Sequence, residues 1–513
     1  MRKVNLTAKN RDYAVFTPAI SGFYVNYVSK QRYEKYVPDE RIPAKFENGI
    51  EGLNFLNKDK GYFVYQSALY SAGHAELDLQ KAKKKESMIH ERDRENTILI
   101  GDSGGFQISK GVWQGNWLEP EGNDKKTDKQ RGLVLNWLEN TADYSMVLDI
   151  PTNGMNIVDE KTGKPLCGLS TYEQFRDGTI QNNKYFFKHR QGKTKFLNVL
   201  QGSTYEEADD WFEKVCLPIV EETSGWAFGG VQKTNLNHSL RRILLLKEFG
   251  LLDKGITEWM HFLGTGKASH AVIYTAIQRA LRKHVNPEIT ISYDAASPFL
   301  ATANGKVYTH NMFTEKSFGY MLPFMVDDKN PMGKEEPWPW DDTPVGERLK
   351  WGDINIYNLG DLNKLGKEGE TSWDSFSYFL LMGHNVYKHI DTVQMACRLT
   401  ARPLKQMMTW VPLHFLEFAD LAEDLIAKDY NKNLDAIDEE LHKHNKLIQK
   451  LSKTSDLRKG STFESLFAVE DNKDIDVDDA YDEDADHKLE ALEESLNDNS
   501  KQKKTKGRRN RRV

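Results

Sequence analysis

The stretch Thr97-Ile98-Leu99-Ile100-Gly101-Asp102-Ser103-Gly104-Gly105-Phe106-Gln107 runs an apolar segment straight into a polar, glycine-rich tip. The arrangement recurs along the chain. Tyr144–Leu148 leads to Asp149, Phe196–Leu200 to Gln201-Gly202, and Trp226–Phe228 to Gly229-Gly230. His261–Leu263 leads to Gly264-Thr265-Gly266, and Ile289–Tyr293 to Asp294. Between the later runs, Tyr205–Val220, Leu236–Leu252 and Ser269–His284 carry helical spacing of apolar residues. Short apolar strands alternating with helices predict a parallel sheet with crossover connections. Polar residues collect where each strand would end, and in a TIM (β/α)8 barrel that end is the catalytic face. An open doubly wound sheet also puts polar residues at its strand ends. The barrel is the expectation carried forward.

The rest of the chain is organised around that core. Residues 1–322 are expected to form the barrel. Residues 323–372 form a Pro- and Trp-rich insertion that includes Glu336-Pro337-Trp338-Pro339-Trp340. Residues 373–455 read as a helical C-terminal region, with apolar helical spacing over Ser375–Thr400 and interleaved charged and apolar residues over Leu413–Leu451. Residues 456–513 form a tail. Glu470–Glu494 is crowded with acids and Lys501–Arg512 with bases, so the net charge of −6 conceals a strong local asymmetry. Such blocks bury no apolar surface and are expected to be disordered. The basic part suits phosphates through charge alone, and a solubilising role fits the composition equally well.

Composition bounds the class. Of the 513 residues, 39% are hydrophobic and 28% charged, which is soluble-globular usage with enough apolar material for a large core. No apolar run is long enough to span a bilayer, so a cytoplasmic protein without a membrane partner is expected. Cys167, Cys216 and Cys397 lie far apart and form no CxxC pair, which predicts free thiols rather than a disulfide framework. There is no P-loop and no GxGxxG opening a helix, and no redox or nucleotide cofactor is expected.

The run Gly101-Asp102-Ser103-Gly104-Gly105 also suggests a trypsin-like serine protease with Ser103 as nucleophile. Such proteases are all-β, whereas this chain alternates strands and helices, and no upstream His and Asp complete a triad. A second resemblance accounts for more of the chain. Asp102-Ser103-Gly104-Gly105-Phe106-Gln107 resembles the signature of tRNA-guanine transglycosylases. Met146-Val147-Leu148-Asp149, Val199-Leu200-Gln201-Gly202, Phe228-Gly229-Gly230-Val231 and Phe262-Leu263-Gly264-Thr265-Gly266-Lys267 resemble later segments of that family in the same order. Ser292-Tyr293-Asp294-Ala295-Ala296-Ser297-Pro298 resembles its nucleophile segment, and Asn304–Thr309 the hairpin beyond it. The resemblance covers roughly residues 95–312.

The resemblance implies base exchange in a nucleic acid. Asp294 would attack the sugar C1′ and hold the sugar covalently, and Asp102 would move a proton on and off the base nitrogen. Asp149, Gln201, Gly229 and Gly230 would read the donor and acceptor edge of a guanine-like base. Phe106 and Leu263 would wall its two faces, and Ser103 and Gln107 would shape the pocket floor. A lone aspartate at a strand end more often caps a helix, and Phe106 and Leu263 would equally serve a core. Family members acting on tRNA carry a CxCxxC run and a later histidine that bind zinc. Here no cysteine lies between Cys216 and Cys397, so no metal site is expected, and His384, His389 and Cys397 are expected in core or surface roles. The run Val231-Gln232-Lys233-Thr234-Asn235 also departs from the Gly-Glu pair common in the family. The DpdA-type enzymes of phages and bacteria, which insert 7-deazaguanine derivatives into DNA, are the most similar subgroup. DNA is therefore favoured over tRNA, with a free 7-deazaguanine base as the second substrate. A zinc-less tRNA enzyme, a non-catalytic nucleic-acid-binding subunit and a glycosidase releasing base to water are the alternatives.

Overall fold

The computed structural model describes residues 3–9, 12–314, 318–323, 325, 335–354, 373–401 and 410–452. The expected disordered tail and much of the 323–372 insertion lie outside the described residues.

Eight parallel strands form one sheet. In chain order they are β1 (Val15–Pro18), β2 (Ser67–Ser71), β3 (Ile98–Asp102), β4 (Tyr144–Met146), β5 (Lys195–Leu200), β6 (Gly225–Phe228), β7 (Trp259–Phe262) and β8 (Thr290–Ala295). Each pairs with its successor from β2 to β8, and β8 pairs with β1, matching Asp294 to Thr17. The Ala19–Leu69 bridge and the Ile20 N–H donating to the Leu69 carbonyl at 3.0 Å close β1 onto β2. The fold is a TIM barrel, as the sequence predicts.

Most strand residues are buried, because side chains inside the barrel pack on one another while those outside lie under helices. β7 shows this most simply, with all of Trp259–Phe262 buried. Crossover helices follow the strands: α1 (Gly22–Glu34), α2 (Lys125–Thr141), α3 (Tyr172–His189), α4 (Tyr205–Trp211), α5 (Leu236–Glu248), α6 (Ala268–His284) and α7 (Ser297–Ala303). Ser21, Asp124, Thr171, Thr204 and Asn235 accept backbone N–H groups at the starts of α1 to α5, which is why each begins there.

Two expectations change in detail. The predicted helix over Tyr205–Val220 is α-helical only to Trp211; a π turn over Phe212–Cys216 and a 3₁₀ turn over Leu217–Glu222 follow. Pro218 has no N–H to donate and favours such a break. The helical region over Leu413–Leu451 divides into three helices, α9 (Leu413–Ala427), α10 (Leu434–Lys443) and α11 (Asn445–Ser452). The break before α10 carries Asn431 and Lys432 at φ of 52° and 58°.

The C-terminal helix α8 (Ser375–Thr400) is buried along most of its length and packs onto the barrel. Phe379 stacks on Tyr27 of α1 with centroids 4.7 Å apart, and His389 stacks on Phe16 of β1 at 4.5 Å. His384, His389 and Cys397 are buried here. His384 contacts Thr343 and the Tyr308 carbonyl, His389 the Gly266 carbonyl, and Cys397 Thr275. Asp374 caps α8 and pairs with Arg41 at 2.7 Å, with both side chains almost wholly out of water.

Candidate functional site

The C-terminal rim of the barrel collects the residues named from the sequence. Asp102 is the last residue of β3 and Asp294 the last but one of β8. Asp149 follows β4 by three residues, and Gln201 and Gly229 directly follow β5 and β6. Leu263 directly follows β7. Parallel strands of one barrel point these ends the same way.

Asp102 is partly exposed to solvent. Its Oδ2 accepts from the Ser71 hydroxyl at 2.6 Å, and its Oδ1 accepts from the Gly104 N–H at 3.3 Å. Burial raises its carboxyl above the usual aspartate range against the pull of these two donors, and the negative charge of Asp294 adds to the rise. The two acids named from the sequence therefore sit close enough to feel each other.

Asp294 is held through one oxygen. Its Oδ1 accepts from the Gly264 N–H at 2.7 Å and from His261 Nε2 at 3.0 Å. Among the described residues, none donates a hydrogen bond to its Oδ2. Gly264 has φ of 63°, the left-handed conformation that turns its N–H onto the carboxylate, and a side chain is strained there.

Asp149 accepts from Gln201 Nε2 at 2.8 Å. Burial, augmented by the charge of Asp102, pushes its carboxyl up to about 7 despite that hydrogen bond. The amide nitrogen of Gln201 is thus used, while its Oε1 is buried with no hydrogen-bond partner. Gly229 and Gly230 flank this amide. A Cβ on either would come within 2.6 Å and 2.7 Å of its nitrogen and oxygen. Gly105 lies against the other side of the site, where a Cβ would meet the Asp149 carbonyl oxygen at 1.9 Å. The motif glycines are required by close approach.

The remaining positions divide. Phe106 and Leu263 are both partly exposed near these groups, and Lys110 Nζ sits 5.0 Å from the Phe106 ring centroid. Gln107 is buried against Gly73. Ser103 is fully buried, and its hydroxyl has no hydrogen-bond partner.

Sequence reasoning missed Ser71, His261 and Ser292. Ser71 ends β2 opposite Asp102 in register. His261 is wholly buried within β7, between Asp294 and Ser292. Each is a single residue inside a short apolar strand, and only the register shows what it faces. Among the described residues, no three His, Cys, Asp or Glu side chains group as metal ligands, and no helix is long and apolar enough to cross a membrane.

Chemically, the arrangement provides two carboxyl groups at one end of the barrel, Asp294 anchored through Oδ1 and Asp102 raised above the usual aspartate range mainly by burial. Beside them lies a buried carboxyl–amide pair able to exchange hydrogen bonds with a polar ring edge. No protein-family model and no curated protein matches the chain.

Proposed function

We propose that this chain is a guanine transglycosylase that exchanges guanine in DNA for a 7-deazaguanine base through a covalent Asp294–sugar intermediate. The observation that carries the reading is that Asp102 and Asp294 stand at the C-terminal ends of two strands, β3 and β8, of one barrel. Base exchange needs such a pair. The free oxygen of Asp294 attacks C1′ as the bond to the departing base nitrogen breaks. Asp102 gives that nitrogen a proton. The incoming base returns a proton to Asp102 as its own nitrogen attacks C1′ and expels the Asp294 carboxylate, so the configuration at C1′ is retained.

The carboxyl–amide pair of Asp149 and Gln201 suits the base edge. Asp149 accepts from the ring N–H and exocyclic amine of a guanine-like ring, and the partly exposed Phe106 and Leu263 supply flat apolar walls. The target nucleotide must leave its stack to reach this depth. DNA is preferred over tRNA because the cysteines of the family's tRNA-gripping zinc module are missing between Cys216 and Cys397.

The test is incubation of the protein with labelled guanine and either duplex DNA or tRNA, followed by a chase with a free 7-deazaguanine base. Label entering DNA and leaving on the chase is the expected result. Label in tRNA alone contradicts the choice of nucleic acid, and label in neither contradicts exchange.

A further inference from the structure

Asp294 stands at the end of a buried hydrogen-bonded chain that runs down the inside of the barrel. The Trp259 indole N–H donates to Ser292 Oγ at 2.6 Å. Ser292 Oγ lies 2.7 Å from His261 Nδ1, and His261 Nε2 lies 3.0 Å from Asp294 Oδ1. His261 and Ser292 are wholly buried and Trp259 nearly so, so water does not compete with these contacts.

The direction of the chain follows from the donor inventory. An indole N–H can only donate, so it occupies a lone pair of Ser292. The Ser292 hydrogen can then go to His261 Nδ1 at 2.7 Å or to the Met260 carbonyl at 3.5 Å. The shorter contact is the stronger. His261 then carries its hydrogen on Nε2, where it points at Asp294. Turning the ring over would take its nitrogens away from the Ser292 hydroxyl and from Asp294 Oδ1 in a dry interior, and each such loss costs about 1–3 kcal/mol.

We infer that His261, locked by Ser292 and Trp259 with its Nε2–H toward Asp294, is a positioning residue for the nucleophile. With the Gly264 N–H it clamps Oδ1, leaving Oδ2 as the oxygen that attacks C1′. This rests on the transglycosylase reading, because it assigns Asp294 the nucleophile's part. A clamp of this kind acts on the bond-forming step and leaves binding of nucleic acid and free base unchanged, since neither Asp149 nor Gln201 touches the chain.

The test is steady-state guanine exchange by the full chain and by His261→Phe, His261→Gln, Ser292→Ala and Asp294→Ala, each with its thermal melting curve. His261→Phe keeps an aromatic ring but removes the donor, and is expected to lower kcat about 10–100-fold with KM within about twofold. His261→Gln can place an amide N–H near the same point and should restore most of that loss. Ser292→Ala should fall between the two. If His261→Phe fails to fold, the Gln and Ala variants decide alone. A kcat for His261→Phe equal to that of the native chain overturns the inference, as does a Gln variant no better than Phe, or a Ser292→Ala variant equal to native. A native chain indistinguishable from Asp294→Ala overturns the transglycosylase reading itself, and the inference with it. The two failures are therefore distinct.

Discussion

A buried aspartate whose carboxyl titrates near neutrality makes a testable demand on the base pocket. Asp149 is pushed to about 7 by burial, with the Asp102 charge behind it. Donors on a guanine-like ring need its ionised form, so affinity for free guanine should rise with pH through that value. The ionised fraction changes about tenfold between pH 6 and pH 8, and the dissociation constant measured by calorimetry should fall by about that factor. A pH-independent constant would remove Asp149 from the base edge. Stability runs the other way. A carboxyl raised in the folded state contributes stability that is fully present below its unfolded value of 3.8 and is lost as pH rises through about 7. Asp149→Asn should therefore be more stable than the native protein at pH 8, by on the order of a few kcal/mol in urea unfolding, and the gap should close toward pH 4. At this scale Asp102, Asp149, Gln201 and Asp294 were legible because each stands in a run of several recognisable residues. Ser71, His261 and Ser292 were not, because a single Ser or His in an apolar strand looks the same whether or not a carboxylate lies across the ladder.

Between elements, the site depends on close approaches that glycine alone permits. Gly105 lets the segment after β3 lie against the Asp149 carbonyl, three residues beyond β4. Gly105→Ala should cost about 1–3 kcal/mol by overpacking, measured by urea unfolding, and should weaken base binding more than Gly163→Ala, whose position is open. The buried ion pair of Arg41 with Asp374 ties the segment after α1 to the start of α8. Asp374→Ala removes a cap and strands a buried guanidinium, so a loss of about 3–5 kcal/mol is expected; a loss under 1 kcal/mol would mean that water reaches the pair. Six of the eight strands were legible as apolar runs with polar tips. β1 and β2 were not, since Val15-Phe16-Thr17-Pro18 ends in proline and Ser67-Ala68-Leu69-Tyr70-Ser71 is bounded by serines, leaving too few apolar residues in a row to stand out. Helix boundaries drifted for a similar reason. Periodicity registers the buried face of Tyr205–Val220 but not the change of winding after Trp211 that sets how that face turns.

For the molecule as a whole, the helices after residue 373 share the barrel's core rather than forming one of their own. One apolar cluster runs from Leu6 to Leu451, and α8 and α9 lie against α6. Sequence spacing marked these helices as apolar but could not show what covered them. Urea unfolding followed by tryptophan fluorescence and by far-ultraviolet circular dichroism should give coincident transitions for the described region, and a separate C-terminal transition would contradict a shared core. The same closure brings β3 and β8, far apart in the chain, to one rim where Asp102 and Asp294 interact. The most direct test of the account is peptide mass spectrometry of the protein quenched during turnover on guanine-containing DNA without an incoming base. A sugar-linked adduct on the peptide bearing Asp294, absent from Asp294→Asn, is the predicted result. An adduct on another residue, or guanine exchange that persists undiminished in Asp294→Asn, would contradict it.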